Sequence, residues 1–74
     1  MEKNINVKEK FQIRLKELMK FKNLNITKLS EKTNIPKNTI SNWLNGKRTI
    51  QIDSLALLAD FFNVSVGYML GKED

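Results

Sequence analysis

Five polar side chains in the segment 36-PKNTISNWLNGKR-48 have types and a spacing suited to reading DNA. They are Lys37, Asn38, Ser41, Asn42 and Asn45. Asn pairs in bidentate fashion with adenine, and Lys favours guanine, at base edges in the major groove. In a helix, residues three and four apart share one side, so Lys37, Asn38, Ser41 and Asn42 would point outward together. These four residues are the predicted base contacts.

Apolar residues of the same segment predict its inner side. Ile40, Trp43 and Leu44 lie at i, i+3 and i+4, which places them on one helical face. Trp43 is therefore expected in the core and not as a platform for stacking bases. Pro36 suits the first turn of a helix, and Asn45-Gly46 suits its end. The segment is predicted to be a short helix with a polar outer side.

A second set of residues has chemistry suited to DNA phosphates. A helix beginning near Ile26 would offer free amides and the Thr27 hydroxyl at its N-terminus. The predicted phosphate contacts are Thr27, Thr39, Asn45, Lys47 and Arg48. Two plainer interpretations stay open here. Lys47 and Arg48 could merely complement a helix dipole, and Asn45 could serve only to end the helix.

The charge distribution of the chain is polarised. Residues 1–50 hold 12 Lys and Arg against 4 acidic residues, whereas residues 51–74 hold one Lys against 4 acidic residues. The net charge is +5. A field of this kind favours a polyanion on one side of the molecule and a neutral or acidic partner on the other.

Composition argues against several classes of function. The chain has 74 residues with no Cys and no His, so it lacks thiolate metal ligands and the commonest general base. A chain of this size has little core to spare for a substrate cavity. Its apolar runs are far shorter than the roughly 18 residues of a membrane span. We expect a soluble cytoplasmic protein that is not an enzyme, with no cofactor, metal, membrane or small-molecule effector implied.

Hydrophobic periodicity predicts an all-α fold of five short helices. The expected ranges are 7–22, 26–33, 36–44, 52–62 and 65–70. Only Asn34-Ile35 joins the second helix to the third, which is too short for side-by-side antiparallel packing and predicts a helix-turn-helix. The expected organisation is a flexible arm at 1–6, a DNA-binding domain at 7–71 and a tail at 72–74.

With these elements in place, the sequence resembles the lambda-repressor-like, Cro/Xre-type helix-turn-helix family. The resemblance covers about residues 9–71 and rests on 15-LKEL-18, 29-LSEKTNIPKNTISNWLNGKR-48 and 55-LALLADFFNVSVGYMLG-71. It implies a compact five-helix domain that binds operator DNA as a dimer and represses transcription in a bacterium or phage. The family's base-reading positions fall on the four residues predicted above, and its backbone-gripping positions fall on the predicted phosphate contacts.

Several residues depart from the family pattern. Ile26 stands where relatives often have a phosphate-holding Gln, and Asn34 stands where the tight turn usually has Gly. Met19 and Leu44 replace a buried Arg–Glu pair of some relatives, so we expect these two side chains to pack together. The first departure leaves phosphate binding at the second helix to backbone amides and Thr27.

An apolar patch is predicted on the acidic half of the chain. Leu57 and Phe61 fall off the inner face of the fourth helix, and Tyr68 and Met69 follow in the fifth. Such a patch suits a dimer interface, and the alternatives are exposure without a function or contact with a further domain. An alternative function is an antitoxin-like protein-interaction module that keeps the fold without binding DNA, although the polar side of the third helix argues against it.

Overall fold

The computed structural model describes residues 6–73, and within that range the chain is helical with no strand. The helices are α1 Val7–Phe21, α2 Ile26–Thr33, α3 Lys37–Leu44, α4 Ile52–Phe62 and α5 Val66–Met69. The all-α, five-helix prediction is confirmed, and the predicted ranges of α2 and α4 match residue for residue. No helix in this part of the chain has the length and apolar character needed to cross a bilayer.

Side-chain caps fix where three helices begin. The Asn25 side chain accepts a hydrogen bond from the Lys28 amide at 2.8 Å, and the Ser65 hydroxyl accepts one from the Tyr68 amide at 2.9 Å. Asn and Ser are favoured at the N-cap because their side chains satisfy amides that the first turn leaves without partners. Asn6 caps α1 through the amides of Lys8 and Glu9. Asn6 is therefore part of the folded domain and not of the arm, whose other residues, 1–5, lie outside the described part.

Left-handed asparagines end two helices. Asn34 closes α2 with φ 63°, and Asn63 closes α4 with φ 59°. Asn tolerates this conformation better than other residues with a Cβ, because its short polar side chain can bond locally. Pro36 differs by one position from expectation, since it precedes α3 with an extended ψ of 143° and is not its first residue.

Each helix sends one fully buried side chain into a common core: Leu15, Leu29, Ile40, Leu58 and Met69. Burying such a side chain contributes about 1.5–3 kcal/mol, which matters greatly in a domain this small. Met69 was predicted to lie in an exposed dimer patch, and that part of the prediction is wrong. The fifth helix is a single turn lying against α1 and α4, so its Met side chain is the part that reaches the core.

The residues after α5 are bonded to the domain. The Ser65 hydroxyl donates to the Glu73 carboxylate at 2.8 Å, and Arg14 donates to the Glu73 carbonyl at 3.2 Å. The Lys72 amide donates to the Gly67 carbonyl at 2.8 Å. These bonds connect the chain end to α1 and α5, while residue 74 of the predicted tail lies outside the described residues.

Candidate DNA-binding surface

Hydroxyl groups of α2 shape the turn between α2 and α3. The buried Thr33 hydroxyl donates to the Leu29 carbonyl at 2.7 Å and accepts from the Ile35 amide at 3.3 Å. Ser30 donates to the Ile35 carbonyl. Both polar groups of the Ile35 backbone are thereby satisfied although its side chain is buried. The turn is consequently a defined structure that sets the direction in which α3 leaves α2.

The inner and outer sides of α3 divide as the sequence predicts. Ile40 and Trp43 are buried, Leu44 is half-buried, and all three contribute to the core cluster. The predicted base contacts fall on the opposite side: Lys37 and Asn38 are exposed, and Ser41 and Asn42 are half-buried. The structure thus brings the four predicted base contacts together on one accessible helical face, two of them in its first turn.

Ser41 and Asn45 interact along that face. The Asn45 side-chain amide lies 3.4 Å from the Ser41 hydroxyl and donates to it. A hydroxyl that accepts one hydrogen bond keeps its own proton for another partner. In this arrangement Ser41 can act as a donor, which suits acceptors such as guanine N7 and O6 or thymine O4.

The electrostatic surroundings of α3 favour an anion. The sequence from Thr33 to Ile52 contains no acidic residue, whereas it contains Lys37, Lys47 and Arg48. All three of these cationic side chains are exposed. Exposed cationic side chains supply the salt-dependent attraction that phosphates require.

Backbone amides at the starts of α2 and α3 are a second kind of group that is able to bind a phosphate. At the start of α2 the Asn25 cap uses the Lys28 amide, and Thr27 beside it is exposed. At the start of α3 Pro36 makes no side-chain cap, and its carbonyl serves the amides of Thr39 and Ile40. A helix supplies no acceptor for its first amides, which here are those of Lys37 and Asn38. These two amides can therefore donate to an external acceptor.

The loop after α3 presents Lys47 and Arg48. Gly46 has φ 76°, a left-handed conformation that reverses the chain direction. The Lys47 and Arg48 amides then both donate to the Asn42 carbonyl, at 2.8 and 3.3 Å. Because this folds the loop back onto the end of α3, the two cationic side chains lie beside the face that carries the predicted base contacts. Asn45 forms the C-cap of the helix, as the plainer interpretation of that residue expected.

An open, polar cleft of about 480 Å³ lies between α3, this loop and the start of α4. It is lined by Thr39, Trp43, Lys47, Arg48, Thr49, Gln51 and Ser54. Three of the predicted phosphate contacts, Thr39, Lys47 and Arg48, therefore meet at one place. Thr27 and Asn45 do not line it.

Sequence reasoning missed Thr49, Gln51 and Ser54 as members of this cleft. Gln51 occupies the N-cap position of α4 without making a side-chain cap bond. The signal was a polar residue at a helix start, three positions after the second of two consecutive cations. Only the packing of α4 against the rest of the domain brings these residues next to Thr39.

The predicted dimer patch is only partly formed. Leu57 is 42% exposed, and Phe61, one turn later on α4, is half-buried with its ring 5.0 Å from that of Phe62. Tyr68 is half-buried, and the Arg14 guanidinium covers one face of its ring at 4.2 Å. Because Met69 lies in the core, the candidate dimer surface consists only of Leu57, Phe61 and Tyr68.

Two apolar side chains outside this candidate surface are more exposed than Leu57. Phe21 at the end of α1 is 82% exposed, and Ile52 at the start of α4 is 77% exposed. Sequence reasoning did not single out either residue. Phe21 lies two residues beyond the last apolar residue of the α1 core stripe, and Ile52 occupies the first position of its helix, where periodicity is least informative.

The geometry defines a class of protein: a small helical domain whose third helix carries a polar outer side and is followed by two exposed cationic side chains. A family described as Helix-turn-helix matches residues 15–69. The chain belongs to this Cro/Xre-type helix-turn-helix family of DNA-binding transcriptional regulators and has its lambda-repressor-like fold.

Two curated relatives come from Bacillus subtilis (strain 168). The chain is 36% identical over 61 residues to the HTH-type transcriptional regulator ImmR, covering 82% of this chain and 48% of that protein. It is 35% identical over 60 residues to the HTH-type transcriptional regulator AnsR, covering 81% and 52%. The chain thus spans about half the length of these relatives. No solved structure matches it.

Proposed function

We propose that this chain is a sequence-specific double-stranded DNA-binding domain that represses transcription by occupying a promoter. The observation that carries the proposal is the outer side of α3, where Lys37 and Asn38 are exposed and no acidic residue is near in sequence. An α-helix fits the major groove, which is about 12 Å wide. The first turn of α3 enters deepest, so Lys37 and Asn38 read base edges there, and Ser41 and Asn42 read the next ones.

Phosphates on either side of the groove fix the domain in register. The exposed Thr27 and the first-turn amides of α2 bind one backbone. Thr39, Lys47 and Arg48 in the cleft bind the other, assisted by Asn45. These contacts carry no base information, but they supply most of the salt-dependent affinity.

The repressor acts as a symmetric dimer on a pseudo-palindromic operator. Leu57, Phe61 and Tyr68 lie on α4 and α5, the acidic half of the chain, and form the surface through which two copies associate. A two-fold axis there places two copies of α3 about 34 Å apart, one turn of DNA, on successive major grooves. The family membership supports an intracellular site of action on chromosomal or phage DNA.

Selection of bound duplexes from a random library, followed by titration of the winning duplex over a salt series, tests the proposal. We expect an enriched inverted repeat and an affinity that falls linearly on a logarithmic salt axis. The absence of salt-dependent affinity for any duplex would overturn the proposal and favour the protein-interaction alternative. An enriched site without two-fold symmetry would remove the dimer and keep the DNA-binding assignment.

A further inference from the structure

The last carbonyls of α3 are almost all satisfied by the loop that follows the helix. The Ser41 carbonyl accepts from the Asn45 amide at 2.9 Å, and the Trp43 carbonyl accepts from the Gly46 amide at 3.2 Å. The Asn42 carbonyl accepts from the Lys47 and Arg48 amides. A helix end normally leaves four such carbonyls without intrahelical partners. The fourth carbonyl, that of Leu44, has its partner in a different helix.

That partner is Gln12 of α1. Its side-chain Nε2 donates to the Leu44 carbonyl at 3.1 Å in a partly buried position, across 32 residues of sequence. The same amide lies against Gly46, where a Cβ would approach Nε2 to 2.9 Å. Gln12 therefore contacts both the end of α3 and the residue that reverses the chain toward Lys47 and Arg48.

We infer that Gln12 is a positioning residue for DNA binding: its amide fixes the end of α3, and with it the loop bearing Lys47 and Arg48, relative to α1. This inference rests on the proposed function. Gln12 lies behind the loop, on the domain side of Leu44, and it acts through the backbone without touching DNA. Because Lys47 and Arg48 are both bonded to the Asn42 carbonyl, a shift of the helix end moves both cations away from their phosphates together.

The decisive substitution is Gln12→Met, which keeps the length and flexibility of the side chain and removes its donor. The buried Trp43, the single Trp of the chain, reports by its fluorescence that the variant is folded. We expect the Kd for the operator and the Kd for a non-specific duplex both to rise about three- to tenfold. This change corresponds to the loss of one hydrogen bond. We also expect faster amide hydrogen exchange at Gly46, Lys47 and Arg48.

A charge-matched pair of variants separates positioning from general electrostatics. Gln12→Glu and Ile13→Glu add the same charge to neighbouring residues of α1, and Ile13 is 52% exposed. An ionised Glu cannot donate to the Leu44 carbonyl, whereas a protonated Glu can. In the free protein, acidification below the ordinary Glu pKa of about 4.3 should restore the amide shifts of Gly46–Arg48 in Gln12→Glu only. Gln12→Lys, which keeps a donor, should retain slow exchange at those amides.

Two failures are distinguishable. If the wild-type chain binds DNA and Gln12→Met binds equally well with unchanged amide exchange, the inference is overturned and the proposed function stands. If the wild-type chain binds no duplex, the proposed function is wrong, and the inferred role of Gln12 in DNA binding is wrong as well. Equal pH responses in Gln12→Glu and Ile13→Glu would also overturn the inference, because no hydrogen bond to Leu44 would then be involved.

Discussion

The ring of Phe11 on α1 meets the ring of Trp43 on α3 edge to face, with centroids 6.2 Å apart and planes at 80°. Both rings are buried. This contact and the Gln12 hydrogen bond join α1 to α3 at neighbouring positions, one through apolar packing and one through a polar group. The helix that carries the predicted base contacts, α3, thus packs against α1 as well as α2.

Phe11→Ala should destabilise the domain severely. Truncating a buried Phe leaves a cavity and costs about 3–5 kcal/mol, a large share of the stability of a small domain. Urea unfolding followed by Trp43 fluorescence measures the change. The matched control is Ile13→Ala, on the same helix but half exposed, which should stay within about 0.5 kcal/mol of wild type. Similar midpoints for the two variants would contradict the core position of Phe11.

The α2–α3 turn should depend on the Thr33 hydroxyl. Thr33→Val keeps the shape of the side chain but leaves the buried Ile35 amide without its partner, at a cost of about 1–3 kcal/mol. Thr33→Ser keeps the hydroxyl and serves as the control. Unfolding midpoints and amide exchange at Ile35 measure both effects. If Val and Ser behave alike, the hydroxyl contributes nothing to the turn.

Asn38→Ala and Asn42→Ala should each weaken operator binding far more than non-specific binding. A lost bidentate base contact costs about 1–3 kcal/mol, or roughly 5- to 150-fold in Kd, and only on the cognate sequence. Parallel titrations of operator and scrambled duplex by fluorescence anisotropy give the ratio. Equal losses on the two duplexes would show that these residues do not read bases.

Lys47→Ala and Arg48→Ala should weaken binding to both duplexes equally. Each removes one phosphate contact, so the slope of log K against log salt should fall in magnitude by about 1. The comparison with Lys16→Ala, an exposed cation on α1 away from α3 in sequence, separates a contact from a general charge effect. An unchanged slope for Lys47→Ala would leave that residue as a helix-dipole partner only.

Leu57→Glu should weaken self-association. It introduces a charge into the surface formed by Leu57, Phe61 and Tyr68, where burial of an unpaired carboxylate is costly. Sedimentation velocity over a concentration series measures the monomer fraction, and Ala56→Glu controls for the added charge on the same exposed stretch of α4. Identical self-association in Leu57→Glu and wild type would show that this surface is not the dimer interface. The exposed Phe21 and Ile52 would then be the next residues to substitute.

Local signals predicted the secondary structure well. Asn25, Asn34 and Ser65 act within one turn of their own position, so their cap roles follow from residue type and spacing alone. The same is true of the outer side of α3, because the positions of Ile40 and Trp43 fix which side faces the core. Met69 was misjudged because a one-turn helix has no period to read, and its burial depends on what α1 and α4 place beside it.

The amino-acid sequence by itself determined five helices, the caps at Asn25, Asn34 and Ser65, and a third helix with a polar outer side, since each follows from interactions between residues at most a few positions apart. Only the tertiary structure decided which residues meet across the chain. It joined Gln12 to Leu44, placed Gln51 and Ser54 beside Thr39, and moved Met69 into the core. The physical reason is that these contacts depend on how helices pack in three dimensions, and periodicity describes one helix at a time.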